Sequence, residues 1–116
     1  MMPVFPIVLV GPAGESPPLM ALVDSGADSS LFPLQIAPLI GIDVTRCEQS
    51  TGMTAGGAAR RYIWEDGVGT TVLGQKVRLR GAFGACPVIL LGRKDFFRAF
   101  KVAFDEREQT FSLAPY

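Results

Sequence analysis

The chain has 116 residues, 48 % of them hydrophobic and 19 % charged, with eleven basic side chains balanced by eleven acidic ones and no histidine. That length supports one core and a single domain, 1–116, and the cancelled charge offers no electrostatic footprint for nucleic acid. Without histidine there is no Ser-His or Cys-His nucleophilic pair, and the commonest zinc ligand is missing, whereas carboxylate chemistry stays open.

Glycine and proline, 13 and 9 in number, punctuate short β-branched or alternating stretches, the spacing of an all-β barrel or sandwich. Val4 to Val10 reads as the first strand and Gly11 to Pro18 as a loop. Leu19 to Val23 is apolar at every position, as a strand covered on both faces should be. It runs directly into Asp24-Ser25-Gly26-Ala27-Asp28. Asp-Ser-Gly is in itself a good turn sequence, because Asp and Ser bond to nearby backbone. The apolar strand in front of it argues for more, since an ordinary solvated Asp sits in a polar stretch. Gly26 lets the chain turn sharply and brings backbone N–H groups near the Asp24 carboxylate, and Ser25 sets a hydroxyl beside it.

Further along, Pro33 suits a first helical turn and Leu34 to Ile40 a short helix that stops at Gly41, irregular because of Pro38. Gln49 to Thr54, Ala58 to Glu65, Val68 to Leu73, Lys76 to Phe83, Val88 to Leu91, Lys101 to Asp105 and Thr110 to Leu113 read as strands. Between the first two of these lies Ala55-Gly56-Gly57, a flexible hairpin tip. Arg93 to Phe100 reads as a helix, because Phe96, Phe97 and Phe100 recur at the steps of one apolar face. The pairs Arg60-Arg61 and Arg78/Arg80 read as solvated strand positions. Cys47 and Cys86 match no metal or redox spacing and read as buried thiols rather than a disulfide. No apolar run reaches the length of a membrane span and no basic-then-apolar leader stands at the start. A soluble, cytoplasmic chain without a membrane partner is therefore expected, its apolar excess pointing to a buried subunit interface.

The second informative segment is Pro87-Val-Ile-Leu-Leu-Gly-Arg-Lys-Asp-Phe-Phe, an apolar strand stopped by Gly92 with Arg93 at the mouth of the next helix. Ala-Leu-Val-Asp-Ser-Gly-Ala-Asp, a glycine-bearing hairpin and Leu-Leu-Gly-Arg, in this order, resemble the retropepsin-like aspartic proteases over roughly residues 4 to 113. Leu34 to Ile42 and the ending from Phe100 look closer to the cellular, single-domain branch, such as the ubiquitin-shuttle proteases, than to the viral one. The tip Ala-Gly-Gly-Ala-Ala departs from the longer viral flap, which carries a central isoleucine.

The resemblance implies an all-β, closed β-barrel of the acid protease fold with one or two short helices, and an endopeptidase needing no cofactor and no metal. It makes Asp24 the catalytic carboxylate, Ser25 the hydroxyl tying two catalytic loops together, and Gly26 a backbone close to substrate. Ala27, Asp28, Leu31, Leu90 and the flap residues Ala55, Gly56 and Gly57 would line the substrate, with Arg93 bracing Asp28. Such hydrolysis uses two carboxyl groups that share a proton, one as base toward water and one as acid toward the carbonyl. Asp28, Asp43, Asp66, Asp95 and Asp105 all lack the strand-turn-glycine context, so the second carboxylate has to come from another copy. The expected partners are thus a second identical chain and a peptide or protein substrate. The alternative is a dimeric peptide-binding or scaffold module of the same fold that cleaves little or nothing.

Overall fold

A computed structural model describes residues 3–54 and 57–116, without the side chains of residues 52–54, 57 and 58. The strands are β1 (Val4–Ile7), β2 (Val10–Gly11), β3 (Gly14–Glu15), β4 (Leu19–Val23), β5 (Ser30–Pro33), β6 (Glu48–Thr54), β7 (Gly57–Val72), β8 (Gln75–Gly84), β9 (Ile89–Leu91), β10 (Phe100–Asp105) and β11 (Thr110–Pro115). One sheet runs in the order β1-β4-β9-β5-β8-β7-β2-β3 with β6 added on β7, and β10 and β11 form a separate antiparallel pair. The large sheet curls on itself. The Thr70 hydroxyl, buried on β7, donates to the Val8 carbonyl at 2.8 Å and draws β7 toward the segment after β1.

Inside the curl, Phe32, Phe83, Leu79, Val68, Ile89 and Leu91 are fully buried, and the Phe32 and Phe83 rings meet at 5.2 Å between centroids. A second aromatic group, Phe5, Phe96, Phe100 and Phe111, fastens the β10–β11 pair to this core, with Phe96 and Phe100 at 5.2 Å. Burial of aromatics this size dominates the packing energy of a small domain.

Two sequence expectations hold with their bounds, the strand Leu19–Val23 and the helix Leu34–Ile40. Leu34–Ile40 is helical, of the 3-10 kind, as a short helix containing Pro38 and ended by Gly41 should be. Others change. The first strand breaks after Ile7 because Leu9 exchanges bonds with Ser16, its N–H reaching the Ser16 hydroxyl at 2.9 Å and its carbonyl accepting the Ser16 N–H at 2.8 Å. The loop that follows contains the small β2–β3 hairpin. The two strands expected over Ala58 to Leu73 form one, β7, with a register irregularity between Trp64 and Val68. Gly67 sits there at φ 80°, where a side chain would be strained, and its carbonyl takes the Trp64 indole N–H at 3.0 Å. The helix expected over Arg93 to Phe100 shrinks to α1 (Phe96–Ala99). Its first residues spend their N–H groups on other loops, as described below, and Phe100 pairs with Pro115 as the first residue of β10.

Candidate active site

Three short strands carry the Asp24 turn. β9 lies between β4 and β5, parallel to β4 through Ala21↔Ile89, Leu22↔Leu90 and Val23↔Leu91, and antiparallel to β5 at Leu31↔Leu90. The two arms of the turn therefore do not pair with each other but both pair with β9, β4 along all three of its residues and β5 at Leu90. The cover expected on both faces of Leu19–Val23 is met on one face only: Ala21, Val23, Ile89 and Leu91 are buried, whereas Leu22 and Leu90 are partly exposed and Met20 is exposed.

Backbone bonds then fix the turn itself. Asp24 donates its N–H to the Leu91 carbonyl at 3.0 Å, and Ala27 donates to the Asp24 carbonyl at 3.2 Å. On the far side Arg93 donates to the Ala27 carbonyl at 2.9 Å and Lys94 to the Asp28 carbonyl at 2.7 Å. Gly92 approaches the same loop so closely that a Cβ there would overlap the Ser29 carbonyl oxygen, which accounts for glycine at the end of β9. The Gly92 N–H reaches the hydroxyl of buried Ser30 at 3.4 Å.

The half-buried Asp24 carboxylate accepts the Gly26 N–H at 3.0 Å. Gly26 does not need a positive φ for this. Its want of a side chain matters because a Cβ would stand 3.3 Å from the same carboxylate oxygen. Ser25 is exposed next to it. Asp28 and Arg93 are joined by a side-chain ion pair, Arg93 Nη2 to Asp28 Oδ1, in which both partners are open to solvent at 90 % and 58 % exposure. Leu31 and Leu90 are partly exposed, opposite one another across β5 and β9. In the β6–β7 hairpin Thr54 pairs with Gly57, while Ala55 and Gly56 of the expected flap tip lie outside the described residues.

Two features were not read from the sequence. A cavity of about 350 Å³ beside Asp24 is lined by Asp24, Ser25 and the tip of the β10–β11 hairpin, with Phe104, Glu106 and Gln109. No local signal ties residue 106 to residue 24. Arg80, expected to be merely solvated, holds Asp95: its N–H donates to Oδ2 at 2.7 Å, and its Nη2 to Oδ1 at 2.9 Å, with the Asp95 side chain only 15 % exposed. This pair ties the start of α1 to β8. Cys47 and Cys86 are free thiols, half-buried rather than fully so. Burial pushes the Cys86 thiol up to about 11, against a smaller opposing pull from the Arg61 charge. Among the described residues no group of His, Cys, Asp and Glu could hold a metal ion, and no helix is long and apolar enough to cross a membrane.

No protein-family model and no curated protein sequence matches the chain. Solved structures do. EIAV protease complexed with the inhibitor HBY-793 is similar over 80 % of this chain and 83 % of that one, at 22 % identity and a TM-score of 0.57. A retropepsin-like aspartic protease from Rickettsia conorii is similar over 96 % of this chain and 89 % of that one, at 20 % identity and a TM-score of 0.66. The chain thus has the retropepsin-like aspartic protease fold, as its two motifs lead one to expect.

Proposed function

We propose that the chain is an aspartic endopeptidase working as a homodimer, with one Asp24 from each of two copies forming the catalytic pair. The observation that carries this reading is the Asp24 turn itself: a carboxylate at the end of a buried strand, held by the Gly26 N–H and open to a cavity, on a fold of retropepsin type. Each chain has a single such turn, so a second copy supports the missing half.

With a peptide laid extended across the two turns, one Asp24 carboxylate takes a proton from a bound water. The other, protonated, gives its proton to the carbonyl oxygen as the water oxygen bonds to the carbonyl carbon. Collapse of the tetrahedral intermediate breaks the C–N bond: one hydroxyl returns its proton to the second carboxylate as C=O re-forms, and the proton held by the first carboxylate passes to the leaving amine nitrogen. Ser25 ties the two turns together, Gly26, Ala27 and Asp28 present backbone to the substrate, and Leu31 and Leu90 wall its side chains. The β6–β7 hairpin, with Ala55, Gly56 and Gly57 at its tip, covers the substrate and keeps bulk water out.

Incubation with a mixed peptide library at acidic and near-neutral pH, read by mass spectrometry, tests the reading. The parent should release products and Asp24→Asn should release none while keeping its fold, since an amide cannot exchange the shared proton. Equal product release by both proteins, or none by the parent, would refute proteolysis at Asp24.

A further inference from the structure

A second cavity, about 510 Å³ in volume, opens where the loop after the Asp24 turn meets the β6–β7 hairpin and β8. Ser29 and Lys94 form one wall, directly beyond the Asp28–Arg93 pair, and Ser50 and Arg61, register partners on the hairpin, form another. Ile63, Gly81 and Ala82 make an apolar floor. The charges around it are uneven: Arg61, Arg80 and Lys94 against Glu65. Arg80 is already matched by Asp95, yet Arg61 and Lys94 are in no ion pair among the described residues.

We propose that this cavity selects an acidic side chain at a distal position of the peptide substrate. The inference rests on the endopeptidase reading above for its substrate. A peptide extended between the hairpin and Asp24 leaves the catalytic turn along Asp28 and Ser29, and so delivers one of its outlying side chains to this wall. Asp or Glu fits the chemistry met there. The Arg61 guanidinium and Lys94 ammonium attract a carboxylate, the Ser29 and Ser50 hydroxyls can donate to its free lone pairs, and the apolar floor takes its methylenes. A basic side chain would find only Glu65, flanked by two uncompensated cations. The chain carries no net charge, so the preference belongs to this cavity and not to steering by the whole molecule.

The test uses one neutral parent peptide, carrying a fluorophore, with Glu, Gln or Lys placed at each position in turn. Binding to the 116-residue Asp24→Asn protein is read by anisotropy at low and high salt, and cleavage by the unaltered protein is measured as kcat/KM. At one position away from the scissile bond Glu should be favoured over Gln by roughly five- to tenfold, in line with a partly screened pair of charges. Added salt should shrink that ratio. Arg61→Gln combined with Lys94→Gln should bring it close to unity, and Lys94→Glu should turn the preference toward Lys. Equal binding of Glu, Gln and Lys peptides at every position, a ratio that survives the double substitution, or no peptide binding at all would overturn the proposal. Charge-blind cleavage by the parent defeats this inference alone. Charge-selective binding without any cleavage defeats the endopeptidase reading and leaves the acidic subsite standing.

Discussion

Single residues around the turn divide into those held by the chain and those waiting for something else. Asp28 and Arg93 touch, but an ion pair this exposed contributes under about 1 kcal/mol in the isolated chain. Arg93→Ala should therefore leave the thermal midpoint of dilute, monomeric protein nearly unchanged. If assembly covers the pair, the same substitution strands a carboxylate in the interface and weakens dimerisation, with a loss on the order of 3 to 5 kcal/mol. Arg93→Lys should recover only part, because an ammonium cannot offer the planar fork. Sedimentation of both variants beside the parent measures this, and unchanged association for both would make Arg93 a surface residue. Cys86 gives a pH prediction of opposite origin. Its thiol is raised by burial, so native protein at pH 8 should react with iodoacetamide far more slowly than unfolded protein, the thiolate being the nucleophile. The sign for stability follows: the contribution is complete below the unfolded value of 9.0 and fades as pH climbs toward about 11, where the folded thiol ionises too. Equal alkylation rates with and without denaturant would contradict the burial.

At the scale of elements, the β7–β8 connection carries strain that a substitution can release. Val72 pairs with Gln75, leaving Leu73-Gly74 as a two-residue turn in which Leu73 stands at φ 51° with 59 % of its surface exposed. Such turns favour Asn or Asp followed by Gly. Leu73→Asn should stabilise the chain by about 0.5 to 1 kcal/mol and raise its melting temperature; a lower midpoint would mean that the Leu73 side chain packs usefully against Phe111 and its neighbours. The same contrast between near and far explains what could be read beforehand. Leu34–Ile40 was legible because Pro33, Pro38 and Gly41 act within a few residues of the helix they shape. The helix over Arg93 to Phe100 was over-read because its phenylalanine steps all fall within Phe96 to Phe100, while Arg93 and Lys94 bond to a loop some 65 residues earlier in the sequence. Asp24 was legible from its own strand and glycine. The Arg80–Asp95 bond and the place of Glu106 on the cavity beside Asp24 were not, since each depends on where two distant strands come to rest.

For the whole molecule the question is how many chains make one site. Glu106 lines the same cavity as Asp24 within one chain, so a second acidic residue stands at that cavity without a partner. The two-copy reading predicts that Glu106→Gln still cleaves, that specific activity falls on dilution as dimers part, and that excess Asp24→Asn chains poison the parent through mixed dimers. Constant specific activity over a wide dilution range, with monomeric mass throughout and loss of cleavage in Glu106→Gln, would put the entire site in one chain.

The position of β9 also sets an order of events in time. A ribosome delivers β4, with Asp24 at its end, long before Ile89–Leu91, and until those three residues slide between β4 and β5 nothing holds the Asp24 N–H or the Ala27 carbonyl. Contacts of such long sequence separation form late and slowly. A half-made chain consequently carries Asp24 without the bonds that fix its turn, and these close only once translation has passed the arginine at residue 93.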